Sequence, residues 1–188
     1  ITSLGHANDM DTCTIGNKYH LFVATMKTGS ESLVKLQYSG NTYTQLGGYT
    51  LKHNGQNVAI SGAKKYAKDS SYIYFLFFVT DGTENCVGVY RGKVPLNSNS
   101  GVVNISHAFD LNIGNALVNG STVPGLADYT RQGIGYIAST DQLLVPLTKK
   151  NVSIILVYDH ASTATGTVSA NSNLSFRITS STYPTLFE

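Results

Sequence analysis

The chain is 188 residues long, about the size of one domain, with a formal net charge of +2 and 13% charged residues against about 25% in an average soluble domain. Ser, Thr, Asn and Gly together exceed a third of it, Tyr occurs 12 times and Trp not at all. So small a charge, clustered only at Lys64, Lys65 and Lys68 and at Lys149 and Lys150, excludes the basic footprint of a nucleic-acid-binding domain, and no run of about 18 apolar residues could cross a membrane as a helix.

The sequence opens at Ile1 with no signal peptide, and residues 1–188 are expected to be one β domain, a mature fragment or an excised projection of a longer structural polypeptide. Thr, Val, Ile, Tyr and Phe favour strands, whereas the helix former Glu occurs only three times. KYHLFVATMKT (18–28) alternates in part, with Tyr19, Leu21 and Val23 on one face. After the breaker GSES (29–32), SLVKLQYS (32–39) sets Leu33, Lys35 and Gln37 on one face and Val34, Leu36 and Tyr38 on the other. TYTQL (42–46) and YTLKH (49–53) flank Gly47 and Gly48, and Asn54-Gly55 is a hairpin turn before NVAIS (57–61).

KKYAKDSSY (64–72) reads as a loop carrying solvated lysines. YIYFLFFVT (72–80) is apolar at nearly every position, as expected of a strand covered on both faces or lying in a subunit interface. Asp81 and Gly82 form a turn, followed by strands at 85–92 and 102–106 around the loop PLNSNSG (95–101). Residues 107–132 are ambiguous, with 109–120 a short helix or two small strands. IGYIA (134–138), QLLVPL (142–147), VSIILVYD (152–159) and LSFRITS (174–180) complete the set. About twelve short, mostly antiparallel strands with turn chemistry between them predict an all-β sandwich or barrel.

Nucleophile elbows, phosphate-binding loops, dinucleotide fingerprints and HExxH are absent, and the chain is expected to bind rather than to catalyse, with no cofactor. GHANDMDTC (5–13) gathers His6, Asp9, Asp11 and Cys13 but reads as a polar loop, not a metal site. Asp159 beside His160, and His107 near Asp110, read as structural. Cys13 and Cys86 are too few for structural zinc, and read as buried thiols or as one disulfide. The N-x-S/T sequons at Asn104, Asn119, Asn151 and Asn173 are about as many as this composition yields by chance. The excess of Tyr, Ser and Asn suits a recognition surface. Candidate contacts are Lys64, Lys65, Tyr66, Tyr129 and Arg131, with the tail at Tyr183 beside them.

One stretch carries a resemblance. STDQLLVPLTKKNVSIILVYDHASTATGTVS (139–169) resembles the last strands of the hepevirus capsid protruding domain, where a D-Q-L-L-V strand leads through a turn to a long apolar strand and a Gly/Thr/Ser-rich loop; Asp141 to Val145 match that pentapeptide. The astrovirus capsid spike is similar in fold and closer in size. The resemblance implies a β-barrel projecting from the virion surface of a non-enveloped particle. It further implies a homodimer that attaches to a host-cell receptor, a glycan being one such receptor. LSFRITSSTY (174–183) is similar to the closing strand of trimeric adenovirus-like or phage fibre heads, which makes a fibre head one alternative. A secreted carbohydrate-binding or adhesin module is another, and an exposed aromatic platform would mark it.

Overall fold

A computed structural model describes residues 4–80, 88–131 and 133–181; the expected turn at Asp81 and Gly82, Cys86 and Tyr183 lie outside them. The described residues are nearly all β, with no α-helix among them. The strands are β1 (Asp9–Ile15), β2 (Lys18–Ala24), β3 (Leu33–Ser39), β4 (Thr42–His53), β5 (Gln56–Lys68), β6 (Tyr72–Thr80), β7 (Gly88–Pro95), β8 (Gly101–Asn104), β9 (Ser106–Asn112), β10 (Leu117–Val118), β11 (Ser121–Thr122), β12 (Thr130–Arg131), β13 (Gly135–Ile137), β14 (Gln142–Lys149), β15 (Val152–Tyr158), β16 (Gly166–Ser169) and β17 (Phe176–Thr179). A single 3-10 turn covers Leu126–Asp128. The ambiguous stretch resolves into β9 and the β10–β11 hairpin rather than a helix. The chain divides into two compact units, one holding the described residues up to 80 and Val89–His107, the other Gly88 and the described residues from Ala108 on.

In the first unit, β1 to β7 pair in sequence order, each antiparallel to the next, and β8 lies parallel to β4. The core is built on the face that carries Phe22, Ala24, Leu33, Tyr49, Leu51, Phe75 and Phe77. Phe75 stacks on Phe77 with ring centres 5.5 Å apart and meets Phe22 at 5.2 Å. Burying each such ring stabilises by about 1.5–3 kcal/mol. Leu76 and Phe78 point to the opposite face of β6 and are buried as well. The apolar run is therefore a strand covered on both faces within a single chain, and its composition requires no second copy.

Two expected features change meaning. Gly47 and Gly48 do not separate two strands but lie inside the long β4, where a β-carbon would collide with the carbonyl oxygen of Asn99 at one and of Ser30 at the other. Lys35 falls on the core face and is buried. Its ammonium donates to the carbonyls of Ser98 (2.8 Å) and Leu96 (3.4 Å), and the Tyr49 hydroxyl donates to Ser98 as well (2.6 Å). Burial pushes the Lys35 ammonium below the usual lysine range against a smaller opposite pull from Cys13, and pushes the Tyr49 phenol up to about 12. Cys13 is itself a buried thiol raised by burial, with Lys65 and Lys68 opposing.

The lysines of residues 64–68 stand on β5, not in a loop. β5 is bulged at Ser61 and at Tyr66 where it pairs with β6. A bulge bends its strand and frees one residue from the ladder. Along this stretch β1 runs beside β5 in the same direction, joined by side chains instead of a ladder. The Asn8 amide donates to Ser61 O (2.8 Å). The Asp9 carboxylate accepts from the Ala63 N–H (3.0 Å) and the Lys64 ammonium (2.6 Å). Asp11 accepts from the Lys65 N–H, while Lys64, Lys65 and Lys68 donate to the carbonyls of Met10, Thr12 and Thr14. Burial pushes the Asp9 carboxyl up, more than Lys64 and the N–H groups pull it down.

The second unit has β12, β14, β15 and β17 in one antiparallel sheet with β13 also on β14, and β16 parallel to β9. Asp141, at φ 53°, precedes β14. Its carboxylate accepts from the Tyr136 hydroxyl and from the Ser162 N–H and hydroxyl, all at 2.8 Å. Gln142 and Asn171 donate to Asp159 at 2.8 and 2.7 Å. Asn171 also accepts at its carbonyl from the Ser175 N–H and hydroxyl, which locks the turn before β17.

Two stability predictions follow from these bonds. Asp9→Ala leaves the Lys64 ammonium and the Ala63 N–H short of a nearly buried partner and lowers unfolding free energy in urea by about 2–4 kcal/mol. Asp9→Asn, which keeps an acceptor for Ala63, costs less. For Asp141, burial raises the carboxyl but the Ser162 and Tyr136 donors outweigh it, so its folded pKa lies below 3.8. That contribution is present above 3.8 and is lost as pH falls beneath it. Melting temperature measured from pH 7 down to 2 therefore falls less steeply at the acid end in Asp141→Asn than in the wild type, from a lower starting value.

Candidate functional site

The five candidate contacts fall into two groups. Lys64, Lys65 and Tyr66 are consecutive on β5 of the first unit, and Tyr129 and Arg131 belong to the second. The amines of Lys64 and Lys65 are committed to β1, and the Lys64 side chain is only 16% exposed. Tyr66 is half-buried and packs on Tyr74 at 6.1 Å, which packs on Tyr72 at 6.5 Å; the Lys93 ammonium sits 4.3 Å above the Tyr72 ring. The Tyr74 hydroxyl donates to Asp69 (2.7 Å), and this bond, ahead of the Ser71 and Tyr72 N–H groups, lowers the Asp69 pKa. Burial pushes the Tyr66 phenol up, with Arg91 opposing. The tyrosines of this stretch thus pack chiefly on one another. Tyr129 is half-buried below Lys149, whose ammonium lies 5.7 Å from its ring centre and 3.3 Å from Asp128. Arg131 lies on β12, partly covered.

The tyrosines that face solvent are others. Gly16 and Asn17 turn β1 into β2, and Gly40 and Asn41 turn β3 into β4, each turn opening on a glycine with positive φ. Beside these turns, Tyr19 pairs across strands with Tyr38, and Tyr38 with Tyr43. Directly paired residues share one face of a sheet. Three tyrosines therefore stand in a row on one face of β2, β3 and β4, with 63%, 37% and 49% of their surface exposed. With strands about 4.8 Å apart, the row is roughly 10 Å long. The Tyr38 and Tyr43 rings are in contact, centres 5.0 Å apart and tilted by 44°. Towards the middle of the sheet the same face continues into Leu21, Val23, Val34 and Leu36, packed with Leu4. That cluster anchors the strip, and the exposed Asn17 and Asn41 of the two turns edge it.

Asp9 and Asp11 of the N-terminal cluster are engaged with β5, and among the described residues no three His, Cys, Asp or Glu side chains gather as metal ligands would. What the strip offers is ring faces, phenol hydroxyls and flanking amides. Aromatic faces of this kind stack on flat or CH-rich ligands, and the polar edges set orientation. The five candidate contacts do not include these three tyrosines. A readable signal was present: Tyr38 and Tyr43 are equidistant from Gly40-Asn41, and residues equidistant from a two-residue hairpin turn are cross-strand partners.

No family model and no curated protein matches the chain.

Proposed function

We propose that this chain is a surface attachment domain that binds a cell-surface glycan through Tyr19, Tyr38 and Tyr43, without catalysis or cofactor. The observation that carries the reading is the exposed row of three tyrosines on adjacent strands. The resemblance of residues 139–169 to the hepevirus protruding domain supports its display on the surface of a non-enveloped virion, as a homodimeric projection. Each site would be shallow and weak. Display in many copies raises the apparent affinity by about 10²–10⁴ over one site. The trimeric fibre head remains the alternative assembly. A second reading, a secreted carbohydrate-binding module, is favoured by the same strip, since an aromatic platform is what such a module needs.

The test is a glycan array probed with the domain displayed multivalently, followed by titration of the best ligand. Changing the three tyrosines to Ala lowers affinity by about tenfold or more, as truncation of a central aromatic contact typically does. Changing all three to Phe retains most of it, because the rings remain. Changing Tyr66, Tyr129 and Arg131 to Ala leaves it intact. The reverse pattern transfers the site to those residues and rejects the strip. The mass in solution by light scattering separates the assemblies: a dimer near twice 20.2 kDa fits the spike, a trimer the fibre head, a monomer the secreted module.

A further inference from the structure

The second unit carries an open groove of about 470 Å³ between the β10–β11 hairpin and the start of β17. Its walls include Asn119, Ser121, Thr122, Asn173, Phe176 and Arg177. The framework beneath is fixed. Asn119 and Gly120 turn the hairpin at φ 49° and 74°, and the Asn119 N–H donates to Ser175 O at 3.0 Å. The buried Ser175 hydroxyl is used on Asn171 O and on the Val157 N–H, so the turn that presents Asn173 and Phe176 is held from behind.

The groups that face the groove are not engaged in this way. Among the described residues, no hydrogen bond or ion pair occupies the side chains of Asn119, Ser121, Thr122, Asn173 or Arg177, and Phe176 is 44% exposed. The walls hold one cation and no carboxylate. An arginine fork pairs with a carboxylate or sulfate through two parallel N–H bonds. The amides and hydroxyls suit a polyol, and the exposed ring suits the CH face of a pyranose. We infer that this groove is a binding site for an acidic saccharide, its anionic group on Arg177 and its ring on Phe176. Sugar carboxylates and sulfate esters share that chemistry. The site is separate from the tyrosine strip, and each stands or falls alone.

The test uses the whole chain made in bacteria, so that Asn119 and Asn173, both within N-x-S sequons, carry no glycan. One disaccharide is titrated in three forms, neutral, uronic acid and sulfate ester, with amide shifts followed by NMR. At least one acidic form binds about tenfold tighter than the neutral form and shifts the amides of residues 119–122 and 173–177. Arg177→Ala abolishes that preference with the circular dichroism spectrum unchanged, and Arg177→Lys keeps part of it. Phe176→Ser weakens each acidic form that binds. The triple tyrosine-to-Ala variant leaves these shifts in place. A preference for the carboxylate or for the sulfate identifies which group the groove takes. Equal binding of the neutral and acidic forms, shifts confined to other residues, an unchanged preference in Arg177→Ala, or equal binding of inorganic sulfate without the sugar each overturns the inference.

Discussion

The meeting of β1 with β5 is the constraint on which the first unit depends. β5 pairs with β4 only over 56–58 and with β6 over 59–68, so beyond Val58 the edge it turns away from β6 has no ladder partner, and β1 lies along it. Parallel neighbours that do not exchange backbone bonds would leave N–H and carbonyl groups unsatisfied, at about 1–3 kcal/mol for each one buried. The two strands resolve this with charged side chains. Asp9 and Asp11 reach across to N–H groups of β5, and Lys64, Lys65 and Lys68 reach back to carbonyls of β1. Bulges at Ser61 and Tyr66 bend β5 so that it can face both neighbours, and Ser61 O, freed at its bulge, is taken by Asn8. The pairing is electrostatically costly in its most buried member, since burial raises Asp9 despite Lys64 beside it.

The second unit uses the same device at a smaller scale. Asp141 sits at a left-handed backbone position and gathers three donors from two segments, while Asp159 accepts from Gln142 and Asn171. The pentapeptide from Asp141 to Val145 thus has a local physical purpose: Asp141 and Gln142 tie the start of β14 to the far end of β15, and Leu143 and Val145 fill the interior. A short motif explained by turn geometry supports the likeness of a strand end more than that of a whole family.

How much was legible in the sequence follows from the range of each interaction. Strand content, the Asn54-Gly55 turn and the burial of residues 72–80 rest on local pattern and stand in the structure. Lys35 was assigned to its face by alternation alone, but that this face is the core depends on Phe22 and Leu33 meeting Phe75 and Phe77 from another part of the chain. The Asp9–Asp11 and Lys64–Lys68 clusters each read as a solvated loop because their partners lie 53–55 residues away, and only curling of the sheet brings them together. Of the tyrosine row, the Tyr38–Tyr43 half was within reach of hairpin arithmetic. The Tyr19–Tyr38 half was not, because β2 and β3 are joined by a longer connection whose register no turn rule sets.

Lys64, Lys65, Tyr66, Tyr129 and Arg131 suit recognition by residue type, and type alone does not separate a contact from a brace. Lysine at residues 64 and 65 and tyrosine at 66 have the chemistry of recognition, yet two amines are bound to β1 and one ring leans on Tyr74. The discriminating quantity is what a group has left after the fold has used it. By that measure Tyr19, Tyr38 and Tyr43 keep their outward faces, while Lys64 keeps little. A chain with so few charges commits most of those among its described residues to its own architecture. The tyrosines left with open faces are those at hairpin ends, where rings pair across strands without being covered, and that is where the proposed binding surface is placed.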